Sequence, residues 1–375
     1  MVHFSVFPHK ESFVIRRPLV LCCTAVLLLA GCGQTTTQST TSLGAKSLAA
    51  IKPPAFLPGP LDGQSTPRSR VERRPVAVIV ENYSPESRPQ SGLGAASTVI
   101  ETLAEGGITR FMAIYLERDS AKVGPVRSTR VYFDRWAAAF HVVLTHVGGN
   151  DDAQAELWTM PKVFNIDENR WEVSLSDTGT RLFWRSSDRL PPHNMYTSTL
   201  KLRQYAQQHH QNWAYTNAYL LHKAPAPLSH RGRATAITIN FEDPLNPQPQ
   251  PDYDVRYVYD RSTNTYTRYM GGARHIDADT GKTLRPANVI VMRTGNAVPD
   301  PAAGITPDSI RIPVIGRGPA IYFRDGKVQQ GTWSLPRLNA PLAFYVKGGR
   351  KAAFNPGQTW IEVVPPSSPL HWTSR

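Results

Sequence analysis

The sequence predicts an α+β protein: an N-terminal α/β domain with a mixed sheet flanked by helices, followed by a mainly β C-terminal domain. Three observations lead there. Between residues 73 and 225, apolar β-branched runs alternate with helix-forming stretches, as in layered α/β folds. After the Pro-rich break "HKAPAPLSHRGRA" (222–234), strand-like runs follow one another with almost no helical periodicity. The chain is 41% hydrophobic, enough for ordinary cores, and its 32 Pro favour loops, edges and turns.

The N-terminus is read first. Arg16 and Arg17 precede "PLVLCCTAVLLLAGC", an apolar run too short for a comfortable spanning helix. A basic start, an apolar middle and small residues at the end make a secretory signal. Its end, Leu29-Ala30-Gly31-Cys32, resembles the bacterial lipobox, in which the cysteine is lipidated and becomes the first residue. Residues 1–31 are therefore expected to be a lipoprotein signal peptide. Cys32 is the expected lipidation site, holding the protein at the cell membrane on the extracytoplasmic side. Cys22 and Cys23 leave with the leader, so no disulfide is expected. Residues 32–72, rich in Thr, Ser, Gln, Ala and Pro, show no sustained period and are expected to be a disordered tether.

In the N-terminal domain (73–225), "RPVAVIVENY" (74–83) reads as the first strand. "GAASTVIETLAEGG" (94–107) reads as a short helix ended by glycines. "TRFMAIYLE" (109–117) is the second strand. Pro125 fits a first helical position, which starts a helix running to about Phe140. "HVVLTHVGGN" (141–150) is the third strand, after which Asn150 or Asp151 can cap the helix "DDAQAELW". "STLKLRQYAQQHH" is a further helix. In the C-terminal domain (226–375) the runs "AITINF", "VRYVYD", "TYTRYM", "NVIVMR", "AIYFRDGKVQQGTW", "LAFYV" and "TWIEVV" read as strands, with Asp325-Gly326 as a hairpin turn.

The net charge of +13 favours polyanions: a membrane surface, an anionic wall polymer or nucleic acid. Basic residues are scattered, and neither a zinc-finger spacing nor a basic arm is present, so no nucleic-acid partner is expected. There is no GxSxG, HExxH, P-loop or dinucleotide fingerprint, and neither a cofactor nor a metal is expected. "HIDADTGK" begins like a calcium loop but places Gly281 and Lys282 where a ligand and the turn glycine belong, so a hairpin explains it better. The order Ser198-x-x-Lys201, Ser262-Thr263-Asn264 and Lys347-Gly348-Gly349 imitates penicillin-recognising enzymes, but the second motif reads as a hairpin tip and the third lacks its hydroxyl.

"GPVRSTRVYFDRW" (124–136) is the densest candidate site. On a helix beginning at Pro125, Arg127, Arg130 and Asp134 share one face, and Arg127 joins the free N–H groups of the first turn that favour anions. The alternative is a solvated helix face with an Arg130–Asp134 pair. Arg88 follows the first strand, Arg110 follows Gly106-Gly107, His146 and Asn150 end the third strand, and "PPHNMY" presents His193 and Asn194. A lone histidine is also read as structural.

Taken together, "RPQSGL" (88–93), "EGGITRFMAIY" (105–115), "GPVRSTR" (124–130), "HVGG" (146–149) and "PHNMY" (192–196) resemble the YerB-like bacterial lipoproteins, domain of unknown function 3048. "YDRSTNTYTRYMGG", "NVIV", "GTW" (331–333) and "PGQTWIEVV" resemble that family's C-terminal domain, and the likeness runs over about residues 73–365. A small departure is Glu81 before Asn82, where Asp is expected. The resemblance implies a two-domain envelope lipoprotein without an established reaction, and it places Arg88, Arg110, Arg127 and Arg130 inside motif segments.

The leading expectation is a binding module for an anionic envelope component, such as a phosphate-bearing polymer, a lipid head group or a peptidoglycan carboxylate. Arg127 and Arg130 would clamp it with Arg88 and Arg110 in support, because planar guanidinium forks meet two oxygens at once. The alternatives are a wall hydrolase or transferase using His146 or His193 as base, and a docking partner for a membrane complex through the β-rich domain with Trp333, Trp360 and Trp372.

Overall fold

The computed structural model describes residues 54–375 apart from 171–180, 213–219, 233–234, 244, 246–247, 301–308 and 375. The leader, Cys32 and the first part of the tether lie outside the described residues. Among those described, no helix is long and apolar enough to cross a membrane.

The N-terminal half contributes β1 (Val76–Glu81), β2 (Thr98–Leu103), β3 (Thr109–Tyr115), α1 (Val131–Phe140), β4 (Val143–His146), α2 (Asp151–Trp158), β5 (Phe164–Asp167) and α3 (Thr199–Gln208). The C-terminal half contributes β6 (Thr235–Ile239), β7 (Val255–Asp260), β8 (Thr265–Met270), β9 (Ala273–Arg274), β10 (Asn288–Arg293), β11 (Gly316–Arg324), β12 (Lys327–Leu335), β13 (Ala343–Val346), β14 (Thr359–Val364) and β15 (Leu370–Ser374). The mixed α+β class expected from the sequence is the class observed.

Ten strands form one sheet in the order β13-β12-β11-β10-β14-β2-β3-β1-β4-β5. β10, β14 and β2 run parallel, as do β1, β4 and β5, while β3 is antiparallel to both neighbours. The strands β1, β2, β3 and β14 are buried at every position, which explains their near-continuous apolar sequences. The seam between the halves is β14 beside β2, so both halves share one hydrogen-bonded ladder, and residues 53–375 form one compact unit. A second, antiparallel sheet, β9-β8-β7-β6-β15, presents the fully buried Arg268 of β8 toward β2 and β14.

Three expectations are corrected. The stretch 94–107 is a strand, β2, rather than a helix. Its Thr98-Val99-Ile100 core suits a pleated surface, and Gly106-Gly107, read as a helix stop, adopt positive φ in the turn joining β2 to β3. The helix expected from Pro125 begins only at Val131. Residues 125–127 run extended beside the end of β1, with Arg127 N–H donating to Ile79 O and Glu81 N–H to Pro125 O. A helix there would leave those β1 groups unpaired. The tether does not extend to residue 72, because Phe56–Pro58 pairs with Ser65–Pro67 and Leu61 and Asp62 are fully buried. Residues beyond the segment hold it: Glu117 Oε1 accepts the Leu61 N–H at 2.8 Å, and Arg118 pairs with the Asp62 carboxylate at 2.9 Å.

Asp325 and Gly326 both take positive φ in the β11–β12 turn, as the dipeptide predicts. "HIDADTGK" is a hairpin, with Ile276 bridged to Thr283. The Ser262-Thr263-Asn264 decoy forms the β7–β8 turn, where Asn264 has positive φ.

Candidate functional site

The site is assembled where β1 ends and β3 begins. Glu81, last in β1, lies directly opposite Arg110 of β3, so their side chains share a face of the sheet. The extended 125–130 segment crosses the same end and delivers Arg127 and Arg130. Arg110 and Arg130 converge on one carboxylate, Glu105, at 2.7 and 2.6 Å. Arg110 also donates to Ser128 O at 2.9 Å, and Arg130 to Ser128 Oγ at 2.9 Å, which ties the crossing segment to β3. Burial pushes the Glu105 carboxyl up, but the two guanidinium groups outweigh it and hold the group at about 2. The Nε of each arginine is buried without a hydrogen-bond partner among the described residues.

Arg127 leaves this pair and binds Glu81 Oε1 at 2.7 Å, retaining 28% side-chain exposure. Glu81 Oε2 meets His193 Nδ1 at 3.1 Å, and the His193 ring stacks on Tyr83 at 5.1 Å between centroids. The resulting arc holds three arginines against two carboxylates. It is positive, half-open at Arg127, His193 and Tyr83, and closed at Arg110 and Arg130.

The other candidate residues lie elsewhere. Arg88 is engaged by Asn82 Oδ1 (2.9 Å) and by the carbonyl of Asp252 (2.7 Å), with its guanidinium over the Tyr253 ring. His146 is fully buried between Gly148 O and Asn165 Oδ1, both at 2.7 Å, which is a structural pattern. Asn150 stands at the N-cap of α2 but makes no side-chain cap bond there; its amide donates to Asp300. Asn194 accepts from Arg185 at 2.8 Å and donates to the carbonyls of Ser186 and Arg189. The Arg130–Asp134 pair does not form. Asp134 is completely buried, accepts the Thr129 hydroxyl, and is pushed well above the usual carboxylate range by desolvation.

Sequence reading missed a deeper polar cluster beneath the arc. Asn82 donates to Thr109 Oγ1 (2.6 Å), which donates to Glu101 Oε1 (2.6 Å). Glu101 is ion-paired to Arg268, whose guanidinium lies over the Trp360 ring at 4.2 Å and also bonds Tyr257 OH at 3.0 Å. Glu362 sits opposite Glu101 in parallel register and accepts from Tyr257. Burial, and then the neighbouring Glu101, push the Glu362 carboxyl well up, so it keeps its proton while Glu101 balances Arg268. His275 accepts from Arg268 at Nδ1, and its Nε2 faces Gln90 Oε1 at 2.9 Å. Burial and Arg268 hold it neutral. The signal was visible: "TVIETL" and "TWIEVV" each carry one glutamate inside a strand run otherwise made of apolar residues and threonine, and such a residue needs a partner.

Comparison with known proteins fits this architecture. Residues 61–212 match the family described as "Protein of unknown function (DUF3048) N-terminal domain", and residues 247–361 match its C-terminal domain. The chain is 33% identical over 311 residues to "Putative lipoprotein YerB" of Bacillus subtilis (strain 168), covering 82% of this chain and 86% of that one. The crystal structure of the YerB protein from Bacillus subtilis superposes with a TM-score of 0.70 at 31% identity, covering 84% of this chain and 99% of that one. Two matched domains, a shared fold and this identity over most of the chain make the protein a member of the YerB-like lipoprotein family.

Proposed function

We propose that the protein is a lipoprotein, anchored through Cys32 on the extracytoplasmic face of the membrane, that binds an anionic component of the cell envelope at the arc of Arg110, Arg127 and Arg130. The observation that carries this reading is the seating of Glu105. Two guanidinium groups close on one carboxylate in a largely desolvated setting, where charge-assisted hydrogen bonds are strong. Glu105 sits at the turn made by two glycines of positive φ, while the arginines are also held by Ser128. A carboxylate or phosphate group entering beside Arg127 would meet the same donors.

The test is a thermal-shift series on the full chain in neutral detergent, with phosphate- and carboxylate-bearing wall fragments at matched ionic strength. A stabilisation that Arg127→Ala/Arg130→Ala removes supports the reading. Equal shifts in both proteins, or none in either, sink it.

A second reading rests on the contact of His193 with Glu81 beside Arg127. A histidine, an acid and an arginine within hydrogen-bond reach are the parts of an acid–base site, in which the arginine stabilises developing negative charge. Turnover of a wall glycan or peptide that His193→Gln abolishes, with binding retained, would favour it over simple binding.

A further inference from the structure

The outer face of the β11–β12–β13 end of the large sheet carries a different kind of positive charge. Between residues 311 and 351 the chain holds eight Lys or Arg and one acidic residue, Asp325. Strand register decides which side chains share a face. Arg317 pairs with Ser334, Pro319 with Thr332, Thr332 with Tyr345, and Tyr345 is bridged to Lys351. Residues two apart along a strand point the same way, so Gln330 and Lys347 join this side. Gly348 and Gly349, at positive φ, close the turn that returns the chain through Arg350 and Lys351. Arg317, Thr332, Ser334, Tyr345 and Lys347 are among the residues lining a concavity of about 640 Å³ that contains no carboxylate, and Arg350 and Lys351 follow directly on the Gly348-Gly349 turn that also lines it.

Arg317, Lys347, Arg350 and Lys351 are all exposed, and none of the four is ion-paired within the described residues. Between the cations stand hydroxyl and amide groups, Thr332, Ser334, Tyr345 and Gln330, which can donate to phosphate oxygens. The face is concave, and its large apolar neighbours are turned inward. Trp333 is 2% exposed and donates to Arg293 O at 2.6 Å, and Phe344 is buried. A bilayer surface would call for a convex face with exposed apolar anchors. A trough bordered by spaced cations and neutral donors suits an extended chain of monoanions.

We propose that this face binds a linear phosphodiester polymer, with Arg317, Lys347, Arg350 and Lys351 meeting successive phosphates and the hydroxyl groups meeting the linking units. This site is separate from the arginine arc and stands or falls independently of it.

The test uses the full chain carrying Cys32→Ala, so that no lipid contributes, in neutral detergent with poly(glycerol phosphate) as the probe. Binding is expected at low salt, with a log–log salt slope of roughly −3 for four neutralised phosphates on a flexible strand. Lys347→Glu/Arg350→Glu should weaken it about tenfold or more. Unaltered binding by the double variant overturns the proposal. So does equal affinity for dextran sulfate, which would mark a non-selective cationic surface, or binding to phosphatidylglycerol vesicles without binding to the polymer. Loss in Arg127→Ala alone would assign the polymer to the arc instead.

Discussion

Two regions of this molecule are rich in cations and use them in opposite ways. Around β1, β2 and β3, Arg110, Arg130 and Arg268 are buried, each held by a carboxylate and further hydrogen bonds. On the outer face of β11–β13, Arg317, Lys347, Arg350 and Lys351 stand in solvent around a trough without a carboxylate. In the first region Arg268 ties the C-terminal half to Glu101 of β2, while Arg110 and Arg130 hold Glu105 within the N-terminal half. In the second, charge has no structural work to do. The comparison teaches that a conspicuous run of arginines is not the same as free charge: Arg110 and Arg130 already hold Glu105, which an incoming anion has to displace, whereas the lining of the outer trough holds no carboxylate. Among the three arginines of the arc, only Arg127 retains appreciable exposure beside its partner.

The sharpest way to break this contrast is at Arg268. Arg268→Met should destabilise by about 3–5 kcal/mol in urea unfolding, because it strands Glu101 in an apolar seam. Adding Glu101→Gln to it should recover part of the loss. A single variant of near wild-type stability would show that the buried pair does not hold the seam.

Glu105→Gln comes next, with an expected cost of about 1–3 kcal/mol, since Arg110 and Arg130 lose their shared counter-ion. The pH dependence has a definite sign. Glu105 is depressed from 4.5 to about 2, so its stabilisation is complete above the unfolded value and is lost as pH falls through about 2. The variant should lack that acid-side slope in unfolding curves.

Glu362→Gln should be close to neutral under mildly acid conditions, because Glu362 already carries a proton. Its folded value lies well above 4.5, so the wild type is favoured below that point and loses stability as pH rises through the raised value. The variant should therefore gain on the wild type toward alkaline pH, and parallel curves would refute a protonated Glu362.

The smallest effect on stability belongs to Lys347→Glu/Arg350→Glu, expected within about 0.5 kcal/mol of wild type. Thermal unfolding checks it. A large loss there would erase the distinction between the two regions.

Legibility of the site followed the same division. His193 and the arginines are legible in composition and motif order, yet the assignment of Arg127 and Arg130 to a helix face fails, because pairing of residues 125–127 with β1 overrides the local helix signal of Pro125. Glu81 and Glu105, which set the electrostatics of the arc, look ordinary in sequence, since nothing in a strand end or a Glu-Gly-Gly turn announces its partner. His146 was legible only as a histidine near a strand end. Its burial between Gly148 and Asn165 depends on β5 lying beside β4.

By itself the sequence determined the α+β class, the position of most strands, the β11–β12 turn and the membership of a lipoprotein family. These follow from local backbone preference, apolar periodicity and motif order, all written within a few residues. Only the tertiary structure decided that β14 joins β2 and makes one sheet of two halves, that Glu101, Arg268 and Glu362 meet, and which cations are neutralised. The first two outcomes depend on residues more than a hundred positions apart being brought into register, and the third on pairs such as Arg127 and Glu81 that only folding brings together. Charge compensation is a property of distance in space, which spacing along the chain does not encode.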